Sequence, residues 1–333
     1  MTLKDKNIVL GVTGSIAAYK AADIASRLVQ AGAKVEVLMS ESAAQFIAPL
    51  TFEAITGRRV VTSMWQNDSG SSINHIALAE AADVMLIAPA TANTIARLAY
   101  GFADDIIDAT VLATRAPVIV APAMNSNMYE NAATQENIQK LKDRGVNIIE
   151  PGSGRLACGS EGRGRLAAVE TIVDTVQMVM ARGGELAGRT VVVTAAGTRE
   201  PIDPVRYIGN RSSGKMGYEL ALAARNRGAD VKLIATVDLP PAAGIDVIRV
   251  ETAAEMFSAV KTAVKGAHAL IMAAAVADYR PVDAAEGKIK KSGQGIELKL
   301  EPTEDILFAV QGDFIRVGFA AETGDLIDNA KKK

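Results

Sequence analysis

The chain has 333 residues, of which 49% are hydrophobic and 22% charged, with a formal net charge of −2. That balance excludes a disordered chain and a nucleic-acid partner recruited by bulk positive charge. One cysteine and two histidines exclude a disulfide framework and a cysteine- or histidine-rich metal centre.

The first strand-like run is Ile8 to Thr13, followed by Ile16, Ala17, Ala21, Ile24, Ala25 and Leu28 at helical spacing. Further apolar runs fall at Lys34–Met39, Asp83–Ala88 and Pro117–Ala121. Their near-continuous apolar character fits strands buried on both faces of a parallel sheet. A second series begins at Arg189–Thr194 and continues at Asp230–Ala235, Asp246–Val250 and Ala269–Ala274. Strands alternating with helices predict an α/β protein with two doubly wound, Rossmann-like domains. The glycine-rich stretch 181–188 separates the two series, and the boundary is placed at 185, giving domains 1–185 and 186–333. Residues 152–164 are rich in glycine without periodicity and read as a loop that closes over a site. No apolar run is long enough to span a membrane, and the first residues lack a signal peptide's apolar segment. The expected compartment is the cytoplasm.

Ligands in doubly wound sheets bind beyond the carboxyl ends of the strands. Gly14 and Ser15 follow the first strand and open a helix, an arrangement suited to a phosphate. The run is not GxGxxG, so the dinucleotide fingerprint is not met. Ser40 follows the second strand, Pro89 to Thr94 the third, and Asn125 the fourth. Four polar strand ends converging on one crevice carry more weight than any one of them, although Ser, Thr and Asn also serve there as helix caps. His75 precedes a helical pattern and is open to a base role or a structural one. Cys158, the only thiol, lies in the glycine-rich loop, a place better suited to chemistry than to packing. In the second half, residues 209–216 approach the P-loop pattern but end on Met216, which offers no hydroxyl to a magnesium ion, so a Walker-type site is rejected. Arg199, Arg206, Arg211 and Lys215 form a cationic group, and Lys288, Lys290 and Lys291 form another that also reads as a solvated turn.

The segments GVTGSIAAYKA (11–21), SINHIALA (72–79), APATANTIA (88–96), APAMN (121–125) and GRLACGSEGRGR (154–165) resemble the homo-oligomeric flavin-containing cysteine decarboxylases. TAAGTREPIDPVRYIGNRSSGKMG (194–217) resembles the ligase half of the bifunctional coenzyme A biosynthesis proteins, in which phosphopantothenoylcysteine decarboxylase is fused to phosphopantothenate–cysteine ligase. The resemblance implies FMN in the first half, held by Gly14, Ser15, Ile16 and Ser40 at its phosphate and by Pro89, Ala90, Thr91 and Asn93 along the ring and ribityl chain. It implies Asn125 on the substrate carboxylate, His75 as base and Cys158 as proton donor. The reaction it implies oxidises the cysteinyl side chain to a thioaldehyde, which serves as the electron sink for loss of CO₂; the enethiolate left behind is then protonated and reduced.

For the second half the resemblance implies activation of 4′-phosphopantothenate by CTP with Mg²⁺, through an acyl-cytidylate that the amine of cysteine attacks. Asn210 and Lys288 match the residues that handle and form this intermediate, and Arg206 falls among the substrate-binding positions. Asp278, Glu304, Asp305, Ile306, Leu307 and Phe319 match the nucleotide-binding ones. Ala196 stands where the family pattern has a second glycine. The sequence ends soon after Phe319, where family members continue through a lysine-bearing loop and further strands, so an incomplete ligase half is expected. The implied assembly is a homo-oligomer: trimers of the flavin half sharing each site, built into dodecamers, with ligase dimers. The competing readings are a non-catalytic flavoprotein regulatory subunit and an enzyme like the flavin prenyltransferases.

Overall fold

The structure is a computed structural model that describes residues 3–65, 74–155, 159, 161–291, 293 and 295–319. The chain divides into two compact units, Met1–Met180 and Ala181–Lys333. The division falls a few residues before the expected boundary, where a helix ends and the glycine-rich stretch begins.

The first unit runs β1 (Asn7–Val12), α1 (Ala18–Gln30), β2 (Lys34–Met39), α2 (Glu41–Ala44), α3 (Pro49–Thr56), α4 (Asn74–Ala81), β3 (Val84–Ala90), α5 (Ala92–Tyr100), α6 (Ile106–Ala113), β4 (Val118–Pro122), α7 (Ser126–Glu130), α8 (Ala132–Asp143), β5 (Asn147–Ile148), β6 (Gly152–Arg155), β7 (Glu161–Arg165) and α9 (Val169–Ala181). Its sheet is parallel in the order β2-β1-β3-β4-β5. The strands are buried on both faces, as their apolar runs predict. Ile8, Leu10 and Val12 enter one core with Ile24, Leu28 and Phe52, while Val9 enters the other with Met85, Ile87 and Ile107. The order in which successive strands are added reverses between β1 and β3, so a ligand crevice opens at their carboxyl ends.

The stretch expected to be an irregular loop is instead a hairpin of β6 and β7. Glycine makes this possible. Gly164 has φ +141°, and a Cβ there would lie 2.3 Å from the Met124 carbonyl oxygen. The Met124 amide donates to the Gly164 carbonyl at 2.9 Å, docking β7 directly on the loop after β4.

The second unit runs β8 (Thr190–Ala195), β9 (Arg199–Pro201), β10 (Tyr207–Gly209), α10 (Lys215–Arg225), β11 (Asp230–Ala235), β12 (Ile245–Arg249), α11 (Ala253–Ala263), β13 (Ala269–Met272), β14 (Tyr279–Pro281), β15 (Leu300–Pro302), α12 (Ile306–Ala309) and β16 (Ile315–Gly318). Its parallel sheet is ordered β12-β11-β8-β13-β16, with the reversal between β8 and β13. Two antiparallel hairpins, β9–β10 and β14–β15, stand outside that sheet.

One buried ion pair makes the first unit's stability depend on pH. Asp108 is 1% exposed on α6, with Arg97 Nε 2.5 Å from its Oδ2, and Asp104 and Asp105 share the same guanidinium. Burial and the neighbouring Asp105 push the Asp108 carboxyl up to about 6 against the pull of Arg97. A carboxyl raised on folding stabilises the fold at low pH, and that contribution fades as the pH climbs through about 6. Between about pH 5 and about pH 7.5 the loss from this group is about 1 kcal/mol. Urea unfolding of the wild type should therefore show this extra pH dependence relative to Asp108→Asn. Parallel curves for the two proteins would contradict it.

Candidate functional site

The tips of β1, β3 and β4 are stitched together by the residues that follow them. Buried Thr13 donates its hydroxyl to the Pro89 carbonyl at 2.7 Å and accepts from the Thr91 amide at 3.1 Å. The Ala123 amide donates to the Ala90 carbonyl at 2.9 Å, and Ser15 Oγ lies 3.4 Å from the Ala123 carbonyl. Thr91 caps α5 and Asn125 caps α7, each accepting from a backbone amide of its own helix.

Over these tips lies a cavity of about 670 Å³, whose lining includes Ser15, Lys20, Thr91, Asn125, Arg155 and Arg165. Its apolar lining comes from Ile16, Tyr19, Met124, Met128 and Leu166. Among the described residues no carboxylate lines it. Asp23 and Glu170, which line an adjoining cavity with Lys20 and Arg165, are both paired with Arg27. The side chains of Lys20, Arg155 and Arg165 have no ion-pair or hydrogen-bond partner among the described residues. Such a cavity suits a ligand with an anionic end and a flat apolar body, and a flavin phosphate ester fits that description. Ile16 and Ala17, which lead into α1, line the cavity, and the Ala17 amide donates to Ser15 Oγ at 3.3 Å.

Of the sequence-predicted residues, Gly14, Ser15, Ile16, Thr91 and Asn125 line the cavity. Gly14 is also required by packing, since a Cβ there would lie 2.4 Å from Ser42 Cβ. Ser40, Pro89, Ala90 and Asn93 are not in its lining. Ser40 caps α2, accepting from the Ala43 amide at 3.2 Å, and the Pro89 and Ala90 carbonyls make the stitching bonds just described. His75 sits half-buried in the first turn of α4 and is not among the lining residues. Cys158 lies outside the described residues, in the link between β6 and β7, whose Arg155 and Arg165 do line the cavity. Sequence reasoning missed Lys20, Arg155 and Arg165. The signal for Lys20 was its helical spacing from Ile16.

The hairpin is braced from behind. Glu150 accepts from Tyr129 Oη at 2.9 Å, Lys142 Nζ at 2.9 Å and Arg163 Nη2 at 3.0 Å. Burial pushes the Glu150 carboxyl up, but the Lys142 and Tyr129 hydrogen bonds outweigh it and hold the group below its usual range. Among the described residues Ser126 Oγ is buried without a hydrogen-bond partner, and a Cβ on Gly162 would lie 2.4 Å from it.

In the second unit the residues after β8 and β13 meet at the sheet's reversal point. Asn210 Nδ2 donates to the Val276 carbonyl at 3.0 Å, and Thr198 Oγ1 accepts from the Ala277 amide at 2.9 Å. Ala196 occupies the left-handed region at φ +71°, which is why a glycine is expected there. Thr303 donates to the Asp278 carbonyl at 2.9 Å, bringing exposed Asp278 beside Glu304 and Asp305. Asp305 caps α12, accepting from the Phe308 amide at 3.0 Å. Ile306 belongs to the core, Leu307 packs against it, and Phe319 is 51% exposed just beyond β16. Lys288 is exposed. Asp203 is buried, and its carboxyl is held well below the usual range by Arg206 and by backbone amides of Val205, Ile289 and Arg206. Among the described residues no group of three or more acidic, histidine or cysteine side chains could hold a metal ion, and no helix is long and apolar enough to cross a membrane.

Comparison with known proteins decides the family. Residues 1–181 match the Flavoprotein family model, and residues 186–333 match that of the DNA/pantothenate metabolism flavoprotein C-terminal domain. The coenzyme A biosynthesis bifunctional protein of Vibrio vulnificus is 45% identical over 339 residues, covering 100% of this chain and 84% of its own. That of Bacillus subtilis is 46% identical over 338 residues, covering 99% and 83%. The chain belongs to this family of bifunctional coenzyme A biosynthesis proteins. It is an enzyme with decarboxylase and ligase activities, and its first half is a flavoprotein. Among solved structures, a PPC decarboxylase mutant complexed with pantothenoylaminoethenethiol is 30% identical, with a TM-score of 0.48, covering 53% of this chain and 98% of its own.

Proposed function

We propose that residues 1–185 bind FMN in the 670 Å³ cavity and convert 4′-phosphopantothenoylcysteine to 4′-phosphopantetheine, and that residues 186–333 make that substrate from 4′-phosphopantothenate, cysteine and CTP with Mg²⁺. The observation that carries the first part is the cavity itself: among the described residues, three cations without an acidic partner, no carboxylate, and Asn125 at a strand tip. Ser15 and the first amides of α1 take the flavin phosphate. Lys20, Arg155 and Arg165 offset the remaining negative charge of the ligands. The bound flavin supplies a reversible two-electron acceptor. Asn125, already fixed by the Asn127 amide at 2.9 Å, donates its side-chain N–H groups to the substrate carboxylate and orients it for departure. Cys158 delivers the proton that the carbon needs after CO₂ has left.

His75 is the general base, and since it does not line the cavity of its own chain, it serves the site of a second copy. Ile16, Tyr19 and Met128 are 60%, 62% and 50% exposed around the cavity, apolar surface that such a copy would cover. The assembly is a homo-oligomer of the flavin half, and the reactants place it in the cytoplasm. In the ligase half, Asn210 and Lys288 handle the acyl-cytidylate, with Asp278, Glu304 and Asp305 near the nucleotide.

Mass spectrometry of the products tests both halves. With 4′-phosphopantothenate, cysteine, CTP and Mg²⁺ the protein is expected to yield 4′-phosphopantetheine, CMP and pyrophosphate. With pre-made 4′-phosphopantothenoylcysteine it is expected to yield 4′-phosphopantetheine and CO₂ without nucleotide. Failure of the second reaction would sink the decarboxylase assignment; failure of the first alone would sink only that of the ligase.

A further inference from the structure

Lys288 sits in the irregular stretch between β14 and β15. Its tethers to the rest of the unit are few. Among the described residues of 283–298, every hydrogen bond leaving the stretch ends on the tip of the β9–β10 hairpin. The Ala285 amide donates to the Ile202 carbonyl at 2.9 Å, and the Ile289 amide donates to Asp203 Oδ2 at 3.1 Å. The Ile289 carbonyl accepts from Arg206 Nη2 at 2.9 Å. Lys288 is therefore held by its neighbour's backbone, gripped on both polar groups.

The grip is preset. Asp203 Oδ1 accepts from the Val205 and Arg206 amides, both at 2.8 Å, which closes the turn on itself. Its Oδ2 accepts from Arg206 Nε at 2.9 Å, aligning the guanidinium that reaches the Ile289 carbonyl. The base of the hairpin is equally fixed. Buried Glu200 accepts from the Ala253 amide at 2.8 Å, and Arg199 donates its amide to the Glu251 carbonyl at 2.9 Å. Asn210 directly follows β10 and is bonded to the loop after β13. One short hairpin thus carries Asn210 at its base and holds the Lys288 segment at its tip.

We infer that Asp203 is a positioning residue of the ligase, setting the distance between Lys288 and Asn210 through its hold on Ile289. This rests on the reading of Lys288 as the lysine that forms the acyl-cytidylate. A charged, buried acceptor of five donors is a firm anchor, and small misplacement of a reacting group is enough to lose most of its effect. Asp203 touches no reactant in this account; it acts through the segment it anchors.

The full-length protein tests it with three variants: Asp203→Ala, Ile289→Pro and Lys288→Gln. Ile289→Pro removes the amide donor and also restrains the Lys288 backbone, but it leaves the Asp203 turn intact, so a folding defect in Asp203→Ala does not shield the idea. Two readouts are taken. One is tryptic cleavage after Lys290 and Lys291, the two sites that all three variants keep. The other is steady-state pyrophosphate release from CTP, 4′-phosphopantothenate and Mg²⁺ with saturating cysteine, which consumes the acyl-cytidylate and frees the site. Both anchor variants should be cut about tenfold faster there. Their kcat for pyrophosphate release should fall by about 100-fold, with KM for CTP within about threefold of wild type. Lys288→Gln should lose pyrophosphate release yet keep the slow cleavage after Lys290 and Lys291. Wild-type cleavage in both anchor variants, or a freed segment with an undiminished kcat, overturns the role of Asp203 while leaving Lys288 in place. A Lys288→Gln protein working at full rate overturns the reading of Lys288 and this role with it.

Discussion

Replacing His75 with asparagine should lower CO₂ release from 4′-phosphopantothenoylcysteine by about 1,000-fold, the scale of a positioned general base, while the protein keeps its flavin. Asparagine is near the imidazole in size and can still hydrogen-bond, but it cannot take up a proton at neutral pH. The half-buried ring lies in the first turn of α4, away from the lining of the cavity in its own chain. The loops from β1, β3 and β4 that form the cavity keep all their bonds in this variant. Flavin absorbance of the purified variant, read beside its rate of CO₂ release, separates the two effects. Turnover within a few-fold of wild type would remove His75 from the reaction.

Replacing Cys158 with alanine should block the final stage instead. CO₂ still leaves, because Asn125 and the base are intact, but the proton that completes the product has lost its donor. The released compound then lacks the last pair of hydrogens of 4′-phosphopantetheine, and formation of the normal product falls by about 1,000-fold. Mass spectrometry distinguishes the two compounds directly. Normal 4′-phosphopantetheine at an unchanged rate would refute the donor role. The oxidised compound would also set the enzyme apart from a purely regulatory flavoprotein, which would give neither.

Both sheets were legible from the apolar runs, because strands buried on two faces need side chains such as Ile8, Val9 and Leu10 in unbroken succession. The crevice was legible for a related reason: Ser15, Thr91 and Asn125 end strands that the fold brings side by side. The same polarity misleads at Ser40, whose hydroxyl caps α2. The β6–β7 hairpin was hidden because glycines at positive φ, as at Gly164, erase the alternation that marks a strand. Arg155 and Arg165 were overlooked for that reason, and their charges count only once the hairpin docks beside α1. Asp203 gave no sequence signal beyond a turn, since its partner Ile289 lies far along the chain. His75 is the reverse case. Its motif resembles the family's, yet a single copy of the fold does not bring it to the cavity.

If His75 serves the cavity of a neighbouring copy, as proposed, each active site is a joint product of two chains. Assembling His75→Asn and Cys158→Ala chains together, each unable alone to make 4′-phosphopantetheine, measures it. Random pairing joins an intact thiol-bearing cavity to an intact imidazole in about a quarter of the sites, so about a quarter of the wild-type product rate should return. A mixed assembly that makes no more 4′-phosphopantetheine than the separate variants would contradict a site completed by a neighbouring copy.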